Sequence, residues 1–377
     1  MKETNRRQEP VRVGVVGCGS ISDIYLSNMI NRFACLEVLG CAARHFENAE
    51  KKAAQYGIRA YTYEEMLQDE RIEMIVVLTP APTHFSLIEK ALLAGKHVFT
   101  EKTMTVEPED AKKLLKLAEE KQLYLGCAPD TFLGAAIQTA KAAVDEGIIG
   151  DVTSFQISAN RNLDMLASIF HFLRMPGGGI CYDYGVYYLT ALVSILGPVK
   201  QVSAMVRNYK EKRTNIFPES PEYGQEYSYA NESQVFAVLE LESGVNGCFS
   251  LNGDSIMEDL AMFVIYGTKG VLKLPDPNQF GGDVILIPNE MQKAAKETKK
   301  VLPPCNPYAE NMRGVGPAEM AQAIRRGRPA RAGMELAYHV LDIISQMMVS
   351  SENGRFEEIP STCKRPDSFQ TLEENIL

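Results

Sequence analysis

The sequence predicts a chain of two domains, an α/β domain with a doubly wound parallel sheet followed by an α+β domain. Two observations predict the first domain: a glycine-rich turn follows an apolar run near the N-terminus, and strands then alternate with helices up to residue 128. Short runs rich in Val, Phe and Leu, several with period-two alternation, predict the second. A chain of 377 residues with 45% hydrophobic residues is long enough for two cores.

The glycine-rich turn lies in the segment VRVGVVGCGSIS at residues 11–22. An apolar strand is predicted to pass through Gly17 and Gly19 into a helix that begins near Ile21. Gly17 permits the tight turn, Gly19 lets the backbone approach a pyrophosphate, and the helix start offers free amides to the phosphates. The third small position is Ser22, which still allows close packing of helix and strand. The segment therefore predicts a dinucleotide site that includes Gly17, Cys18, Gly19, Ser20 and Ile21.

The end of the second predicted strand bears on the choice of cofactor. This strand covers residues 36–43, and Ala43 and Arg44 stand where an NAD site commonly has the acidic residue that binds the ribose 2′-hydroxyl. Because an arginine can pair with a 2′-phosphate and stack on adenine, Arg44 favours NADP over NAD. The alternative is that Arg44 packs along the adenine edge and serves either cofactor.

The remaining elements of the first domain follow the same alternation. Ligands of open parallel sheets bind at the carboxyl ends of the strands, so Gly17, Arg44, Thr79, Lys102 and Ala128 are expected to line one crevice. The predicted strands cover residues 11–16, 36–43, 72–78, 96–102 and 123–128, and the predicted helices cover 24–32, 64–69, 85–94 and 108–121.

Charge and composition exclude several classes of protein. A net charge of −9 without a basic cluster argues against nucleic-acid binding. The polar N-terminal ten residues and the lack of a long apolar run predict a cytosolic protein that neither enters nor binds a membrane. The eight cysteines form no CxxC pair and no cluster with histidine, which predicts reduced thiols and no metal site.

Four motifs in a fixed order resemble the glucose-fructose oxidoreductase, inositol dehydrogenase and MocA (Gfo/Idh/MocA) family. They are GCG at residues 17–19, Thr79-Pro80 with His84 four residues after the proline, AGKHVFTEK at 94–102 and PGGGICYDYG at 176–185. The resemblance implies a Rossmann domain at residues 1–128. It also implies a substrate-binding domain at 129–377, built on a large, open, mostly antiparallel sheet through which a homodimer or homotetramer forms. The late helical segment at about 308–352 is expected to pack back near the first domain.

The second domain is compatible with this architecture on its own pattern. The segment 208–231, rich in charge, Pro and Tyr, has no clear period and is predicted to be a long loop. Strands are predicted at residues 152–159, 199–207, 234–242, 245–252, 261–266 and 271–274.

The resemblance implies hydride transfer between a nicotinamide and a carbinol carbon of a sugar, polyol or related cyclic alcohol. Lys102 takes the cationic role that stabilises the alkoxide-like transition state, although Thr103 replaces the proline that usually follows. The family pattern of Asp and then His four residues later becomes Asp183 and Tyr187. A phenol has an ordinary pKa of about 10. The positive charges of Lys102 and an oxidised nicotinamide would lower this pKa, against the opposing effect of burial. We expect Lys102 and Tyr187, from separate domains, to act as an acid/base couple above one pyridine ring. The alternative is that Tyr187 only hydrogen-bonds the substrate or the core.

Further binding residues are expected from the resemblance and from their places in the predicted elements. Asp130 replaces a residue that is frequently Asn in the family, so the family's contact at this position is not carried over. The expected cofactor-binding residues are completed by Thr79, Pro80, His84, Glu101 and Lys102, and the expected substrate-binding residues are Arg161, His171, Asp183 and Tyr187. Arg161 and His171 are expected there from their positions, at the end of a predicted strand and just before the triple glycine. The alternatives are a solvated strand end and a structural histidine.

Two other functions stay open at this point. One is a glycosidase that retains tightly bound NAD and oxidises C3 of its substrate transiently. The other is a non-catalytic sensor that binds a dinucleotide and a sugar or partner protein. The glycosidase would hydrolyse glycosides without net cofactor turnover, and the sensor would bind without turnover.

Overall fold

The computed structural model describes residues 9–256, 261–289 and 299–372. Its N-terminal part forms a six-stranded sheet in the order β3-β2-β1-β4-β5-β6, with every pair parallel. This is the strand order of doubly wound nucleotide-binding sheets. From β1 the chain adds strands first towards β3 at one edge and then, from β4 onward, towards β6 at the other edge. The elements are β1 Val11–Val16, α1 Ile21–Asn31, β2 Leu36–Ala42, α2 Phe46–Tyr56, β3 Arg59–Tyr61, α3 Tyr63–Gln68, β4 Met74–Val77, α4 His84–Leu93, β5 His97–Thr100, α5 Pro108–Lys121 and β6 Leu125–Cys127.

The central strands of this sheet are covered on both faces. In β4, Met74, Ile75, Val76 and Val77 are fully buried, and this continuous apolar run is what a parallel strand between two helix layers requires. The predicted parallel sheet is therefore confirmed. The short strand β3 forms one edge of this sheet, and α2 leads into it. The sequence predicts neither element.

The C-terminal part forms a nine-stranded sheet in the order β16-β15-β14-β13-β7-β12-β11-β8-β17. Neighbouring strands are antiparallel except for β12 and β7, which run parallel. This confirms the predicted large, mostly antiparallel sheet. The elements are α6 Ala135–Asp145, β7 Val152–Asn160, α7 Leu163–Ile169, α8 Val186–Leu196, β8 Val199–Arg207, β9 Lys212–Thr214, β10 Glu226–Ser228, β11 Gln234–Leu241, β12 Asn246–Asn252, β13 Met262–Gly267, β14 Gly270–Leu274, β15 Ile285–Pro288, β16 Lys300–Val301, α9 Val315–Arg326, α10 Met334–Asn353 and β17 Glu357–Glu358.

The segment 208–231 is not the continuous loop that its sequence predicts. It contains a small antiparallel hairpin of β9 and β10, in which Tyr227 lies opposite Arg213. The Arg213 side chain is fully buried and pairs with Asp164 at 2.7 Å and Asp254 at 2.8 Å. Three-residue strands are too short to show a period, and a buried ion network rather than apolar alternation holds this hairpin, so the sequence pattern does not reveal it.

The described chain divides into two compact units. The first comprises the residues up to Leu133, Asn311–Ala337 and the residues from Gln370 onward, and the second comprises Gly134–Glu310 and Tyr338–Phe369. The helix α9 thus belongs to the first unit, where the Asn28 side-chain amide donates to the carbonyls of Asn311 and Arg313 at 2.9 and 2.8 Å.

All eight cysteines are free thiols. Among the helices of the described residues, none combines the length and apolarity needed to span a membrane.

Candidate nucleotide and substrate sites

The turn between β1 and α1 is shaped as a phosphate cradle. Gly17 has a φ of +107°, and a Cβ atom at this position would lie 2.7 Å from the carbonyl carbon of Leu78. A Cβ at Gly19 would meet nothing within 4 Å. Gly19 and Ser20 are exposed, and Ser20 makes no side-chain cap with the first turn of α1. The Ser22 and Asp23 amides donate to the carbonyls of Gly19 and Ser20, whereas the amides of Gly19, Ser20 and Ile21 form no hydrogen bond in the described part of the chain. These three amides can bind an anion such as a pyrophosphate.

Ser22 explains how the third position of the glycine motif is filled without glycine. Its side chain is fully buried, and its hydroxyl donates to the Gly19 carbonyl at 2.6 Å. A small residue that also ties the turn to the helix satisfies the packing demand at this point.

Arg44 lies beside the cradle. The Gly17 amide donates to the carbonyl of Ala42 at 2.9 Å, so the end of β2 is hydrogen-bonded to the turn two residues before Arg44. The Arg44 residue is exposed, and its guanidinium forms no hydrogen bond or ion pair within the described ranges. The side chain is thus available to a ligand bound at the turn.

His84 connects two loops at the carboxyl ends of β4 and β5. The imidazole is fully buried, with Nδ1 2.7 Å from the Thr103 carbonyl oxygen and Nε2 2.7 Å from the Thr79 carbonyl oxygen. Burial lowers the pKa of His84, so the ring is neutral and donates to one of these two carbonyls at a time. Both ring nitrogens face protein atoms, which makes His84 a positioning residue for the Thr79 and Thr103 loops. Thr79 contacts the Thr83 hydroxyl at 2.7 Å, and Pro80 is the residue before the short helical turn that precedes α4.

Glu101 has its carboxylate directed into the protein. It accepts a hydrogen bond from the Tyr25 hydroxyl at 2.6 Å and one from the Lys102 amide at 3.0 Å. Burial and the Glu101 charge raise the pKa of Tyr25 far above its ordinary value, so this phenol stays protonated and keeps donating. The pair therefore fixes the backbone of Lys102, whose side chain is partly exposed and whose peptide bond to Thr103 is cis.

Asp130 has a structural partner within the first unit. Its Oδ2 accepts hydrogen bonds from the amides of Gly314 and Gly316, each at 3.0 Å. Burial raises the pKa of this carboxyl to about 6. Asp130 thus holds the segment that leads into α9.

Asp183 and Tyr187 lie on consecutive turns in the second unit. Asp183 belongs to a single π-helical turn, Cys181–Gly185, and Tyr187 belongs to the first turn of α8. Single π turns are frequent at functional sites. Tyr187 is 8% exposed, and its ring centroid lies 6.5 Å from that of Tyr184.

Glu232 supports this π turn, and the sequence predicts no role for it. Its carboxylate accepts a hydrogen bond from the Cys181 amide at 2.9 Å. Gly179 has no side chain because a Cβ there would overlap the Glu232 carboxylate. Burial raises the pKa of Glu232 to about 7. No sequence signal could have identified it, since Glu232 lies outside every motif and meets the turn only in the folded chain.

The two remaining predicted substrate residues lie in different environments. The Arg161 guanidinium stacks over the Tyr184 ring, with its Cζ 4.4 Å from the ring centroid. His171 is exposed, and its Nε2 lies 3.4 Å from a carboxylate oxygen of Glu222. His171 is therefore part of a surface pair with Glu222, and its role in substrate binding stays a prediction.

The chain matches two models of one protein family. The model described as the oxidoreductase family, NAD-binding Rossmann fold, matches residues 11–128, and the GFO/IDH/MocA C-terminal domain matches residues 137–273. The described cradle, with its left-handed Gly17 and open helix start, fits the dinucleotide that the first model names.

Individual relatives agree with this assignment. The chain is 29% identical over 209 residues to an uncharacterized oxidoreductase of Schizosaccharomyces pombe, an alignment that covers 54% of this chain and 56% of that protein. It is 22% identical over 361 residues to the scyllo-inositol 2-dehydrogenase (NADP(+)) IolW of Bacillus subtilis, covering 93% and 96% of the two chains. The chain thus spans only slightly more than half the length of the yeast relative.

A solved structure shares the whole architecture. Levoglucosan dehydrogenase in complex with NADH and L-sorbose superposes with a TM-score of 0.81 at 17% identity, covering 93% of this chain and 99% of that one. Since the parallel sheet, the large antiparallel sheet and both family models agree, the chain belongs to the GFO/IDH/MocA family of oxidoreductases.

Proposed function

We propose that the protein is an NAD(P)-dependent oxidoreductase that transfers a hydride between the nicotinamide and a carbinol carbon of a sugar, polyol or related cyclic alcohol. The observation that carries this proposal is the left-handed turn at Gly17, followed by the exposed residues Gly19 and Ser20 just before α1. Such a turn binds pyrophosphate through backbone amides. The names of the inositol and levoglucosan dehydrogenases support the substrate class.

The residues of this chain would supply the proton transfer and the charge stabilisation. A dinucleotide held at the turn of residues 17–21 would supply the nicotinamide as hydride acceptor or donor. The Tyr187 phenol takes the proton of the substrate hydroxyl or returns it, and the Lys102 ammonium stabilises negative charge on the carbinol oxygen. Glu101 and Tyr25 hold the Lys102 backbone through their hydrogen bonds. Asp183, one helical turn before Tyr187, hydrogen-bonds the substrate hydroxyls.

The cofactor preference is proposed to be NADP over NAD. Arg44 is exposed at the end of β2, and no carboxylate follows that strand where one would bind a ribose 2′-hydroxyl. A guanidinium with no protein partner within the described chain is suited to a 2′-phosphate. The relative named with NADP(+) supports this choice, while the structure solved with NADH shows that the fold accepts the other dinucleotide.

We also propose that the chain self-associates through one face of the nine-stranded sheet. Met205, Phe236 and Val238 are 77%, 51% and 46% exposed, and Met205 lies directly opposite Phe236 in neighbouring strands. Alternate residues of β11, such as Val235 and Leu239, are fully buried on the other face. A cluster of large apolar side chains on an exposed sheet face is typical of a homo-oligomer interface.

A substrate screen tests the proposed activity. The purified protein is incubated with sugars and polyols and with NAD or NADP separately, and the absorbance of the reduced nucleotide is followed. We expect turnover with at least one cyclic alcohol and its loss in Lys102→Ala. Saturable binding of nucleotide and sugar without turnover would favour the sensor, and glycoside hydrolysis without reduced nucleotide would favour the NAD-retaining glycosidase.

A further inference from the structure

Arg161 is held in place at the end of β7 with its side chain directed at a tyrosine. Its amide donates to the Asn252 carbonyl at 2.9 Å, and its carbonyl accepts from the Ser255 amide at 3.3 Å. The backbone at this position is therefore fixed from both sides. The guanidinium lies over the face of Tyr184, with 4.4 Å between its Cζ and the ring centroid.

Tyr184, over which this guanidinium lies, is a neighbour of the proposed substrate residues. It follows Asp183 directly in the chain, and its ring lies 6.5 Å from that of Tyr187. Its hydroxyl donates to Asp276 at 2.8 Å, so the ring that supports Arg161 is itself held in position. The Asp276 carboxylate is engaged in this hydrogen bond and makes no ion pair with Arg161.

The Arg161 charge has no partner in the described part of the chain. Its Nε is buried without a hydrogen-bond acceptor, and no carboxylate within residues 9–256, 261–289 and 299–372 forms an ion pair with it. Stacking on an aromatic ring stabilises a cation but supplies no oxyanion for the guanidinium N–H groups. The Arg161 guanidinium thus lacks an oxyanion partner among the described residues.

A second arginine of the same unit shows what the usual arrangement looks like. Arg174 stacks on Tyr227 with 3.8 Å between its Cζ and the ring centroid, and it also pairs with the Glu222 carboxylate at 2.9 Å. Stacking and ion pairing occur together there.

A third stacked arginine repeats the arrangement. Arg213 lies 4.5 Å from the ring centroid of Tyr229 and pairs with both Asp164 and Asp254. Compared with these two, the stack of Arg161 on Tyr184 lacks only the carboxylate.

We propose that the substrate supplies this missing oxyanion, so that Arg161 selects sugars or cyclic polyols that carry a carboxylate or a phosphate. This inference rests on the proposed function and adds a charge requirement to it. A guanidinium fork matches two oxygens of either group, which fixes the orientation of the substrate beside Asp183 and Tyr187.

Pairs of substrates that differ only in charge test the proposal. Glucose is compared with glucuronate and glucose 6-phosphate, galactose with galacturonate, and myo-inositol with its monophosphate. Binding to the protein with its nucleotide is measured by calorimetry, and turnover is measured by nucleotide absorbance. We expect at least one anionic member to bind more tightly than its neutral counterpart by about 10- to 100-fold, the value of a hydrogen bond to a charged group.

Arginine variants assign the preference to this residue. Arg161→Gln should reduce the ratio of anionic to neutral affinity to near one, and Arg161→Lys should retain part of it because the charge remains without the fork. Arg207→Gln is the matched control, since Arg207 also faces a tyrosine but is exposed and bonded to Gln234 at 2.8 Å. Phosphate-bearing and carboxylate-bearing probes show which oxyanion the site prefers.

The outcomes separate this inference from the proposed activity. The oxyanion site is refuted if no anionic probe binds better than its neutral counterpart, or if Arg161→Gln leaves the ratio of affinities unchanged. Charge-dependent binding without any reduced nucleotide would support the oxyanion site and contradict the dehydrogenase. Turnover without a charge preference would support the dehydrogenase and contradict the oxyanion site.

Discussion

At the scale of single residues, the hydrogen-bond partners of His84 and Asp130 could not be predicted from the sequence. His84 stands in a motif that suggests contact with the nucleotide, yet both of its ring nitrogens face backbone carbonyls. Asp130 accepts from the amides of Gly314 and Gly316, which are distant in sequence. Such partners are brought together only by the folded chain, so the sequence identifies these residues without revealing what they contact.

Tyr187 is the residue whose replacement most directly tests the chemistry. We expect Tyr187→Phe to reduce turnover by about 10²-fold or more while the nucleotide affinity stays the same, because only the proton-transferring hydroxyl is removed. Steady-state kinetics and a nucleotide titration measure the two effects. Tyr223→Phe serves as the control, since Tyr223 is 61% exposed. Unchanged turnover would remove Tyr187 from the mechanism.

Arg44 tests the choice of cofactor. Arg44→Asp should abolish the preference for NADP, with NADP affinity falling about tenfold or more, since the carboxylate repels a 2′-phosphate and can accept from a 2′-hydroxyl. Dissociation constants for NADP and NAD are measured by calorimetry. Lys116→Asp, at a position with a 77% exposed side chain on α5, controls for the change in net charge. A ratio of affinities that does not move would contradict the assignment.

Glu232 predicts a pH dependence of stability. Its pKa is about 7 in the folded protein, above the value of about 4.3 for an unperturbed glutamate, so folding disfavours its ionised form. The raised pKa contributes stability that is complete below the unfolded pKa and is lost as the pH rises through about 7. Glu232→Gln cannot ionise and keeps its stability over this range.

Paired unfolding measurements reveal this contribution. Between pH 5 and pH 8, wild type should lose on the order of 2 kcal/mol of unfolding free energy relative to Glu232→Gln, since each unit of pKa shift is worth about 1.4 kcal/mol. Denaturant unfolding at the two pH values gives the change in unfolding free energy for each protein. Subtracting the change in Glu232→Gln from that in wild type removes the contribution of the other titrating groups. An equal pH dependence in both proteins would show that Glu232 does not titrate there.

At the scale of secondary-structure elements, prediction succeeds where an element buries a periodic apolar face. The helix α5 has the predicted bounds 108–121, and β8 has the predicted bounds 199–207. The helix α2 escapes prediction because only Ala49 and Ala53 are buried, while the rest of it is mostly charged or polar. The hairpin of β9 and β10 escapes because ion pairs rather than apolar contacts hold it.

Alanine at each of the two glycines of the β1–α1 turn is predicted to have a different effect, on stability at Gly17 and on nucleotide binding at Gly19. Gly17→Ala should lower the unfolding free energy by about 1–3 kcal/mol, because its positive φ and the Leu78 carbonyl leave no room for a Cβ. Gly19→Ala should leave stability nearly unchanged, since its Cβ meets nothing within 4 Å, yet weaken dinucleotide binding by about tenfold or more.

Thermal unfolding and nucleotide titration separate these two effects. Gly57→Ala is the control for a left-handed glycine away from the cradle, since its Cβ meets no neighbour and its φ is +68°. It should destabilise the protein without changing nucleotide affinity. Full affinity in Gly19→Ala would show that no ligand backbone approaches this turn.

At the scale of the whole molecule, the nine-stranded sheet has one face covered by protein and one face that carries large apolar side chains. The sequence predicts both faces through the alternation of β11, where Val235, Ala237 and Leu239 are buried and Phe236 and Val238 are exposed. What it cannot predict is whether this face pairs with another copy of the chain, because pairing depends on the shape of the exposed face.

Charges placed on this face should dissociate the oligomer. The double variant Met205→Asp, Phe236→Asp places two carboxylates opposite each other in neighbouring strands, and their burial in an interface would cost several kcal/mol. Sedimentation velocity should show a shift from a dimer or tetramer to a monomer. Phe46→Asp, at a 43% exposed position of α2, should leave the mass unchanged. A wild-type protein that is already monomeric would contradict the proposed interface.

The late return of residues 311–337 has a consequence for how the chain is made. The Cys127 amide donates to the Ala332 carbonyl at 3.0 Å, and Gly126 bridges to Gly333, so this segment closes the outer edge of the parallel sheet. On the ribosome, strand β6 therefore emerges long before the residues that cover it. One edge of the parallel sheet therefore stays uncovered until residues 311–337 have been synthesised, which happens only after most of the second unit.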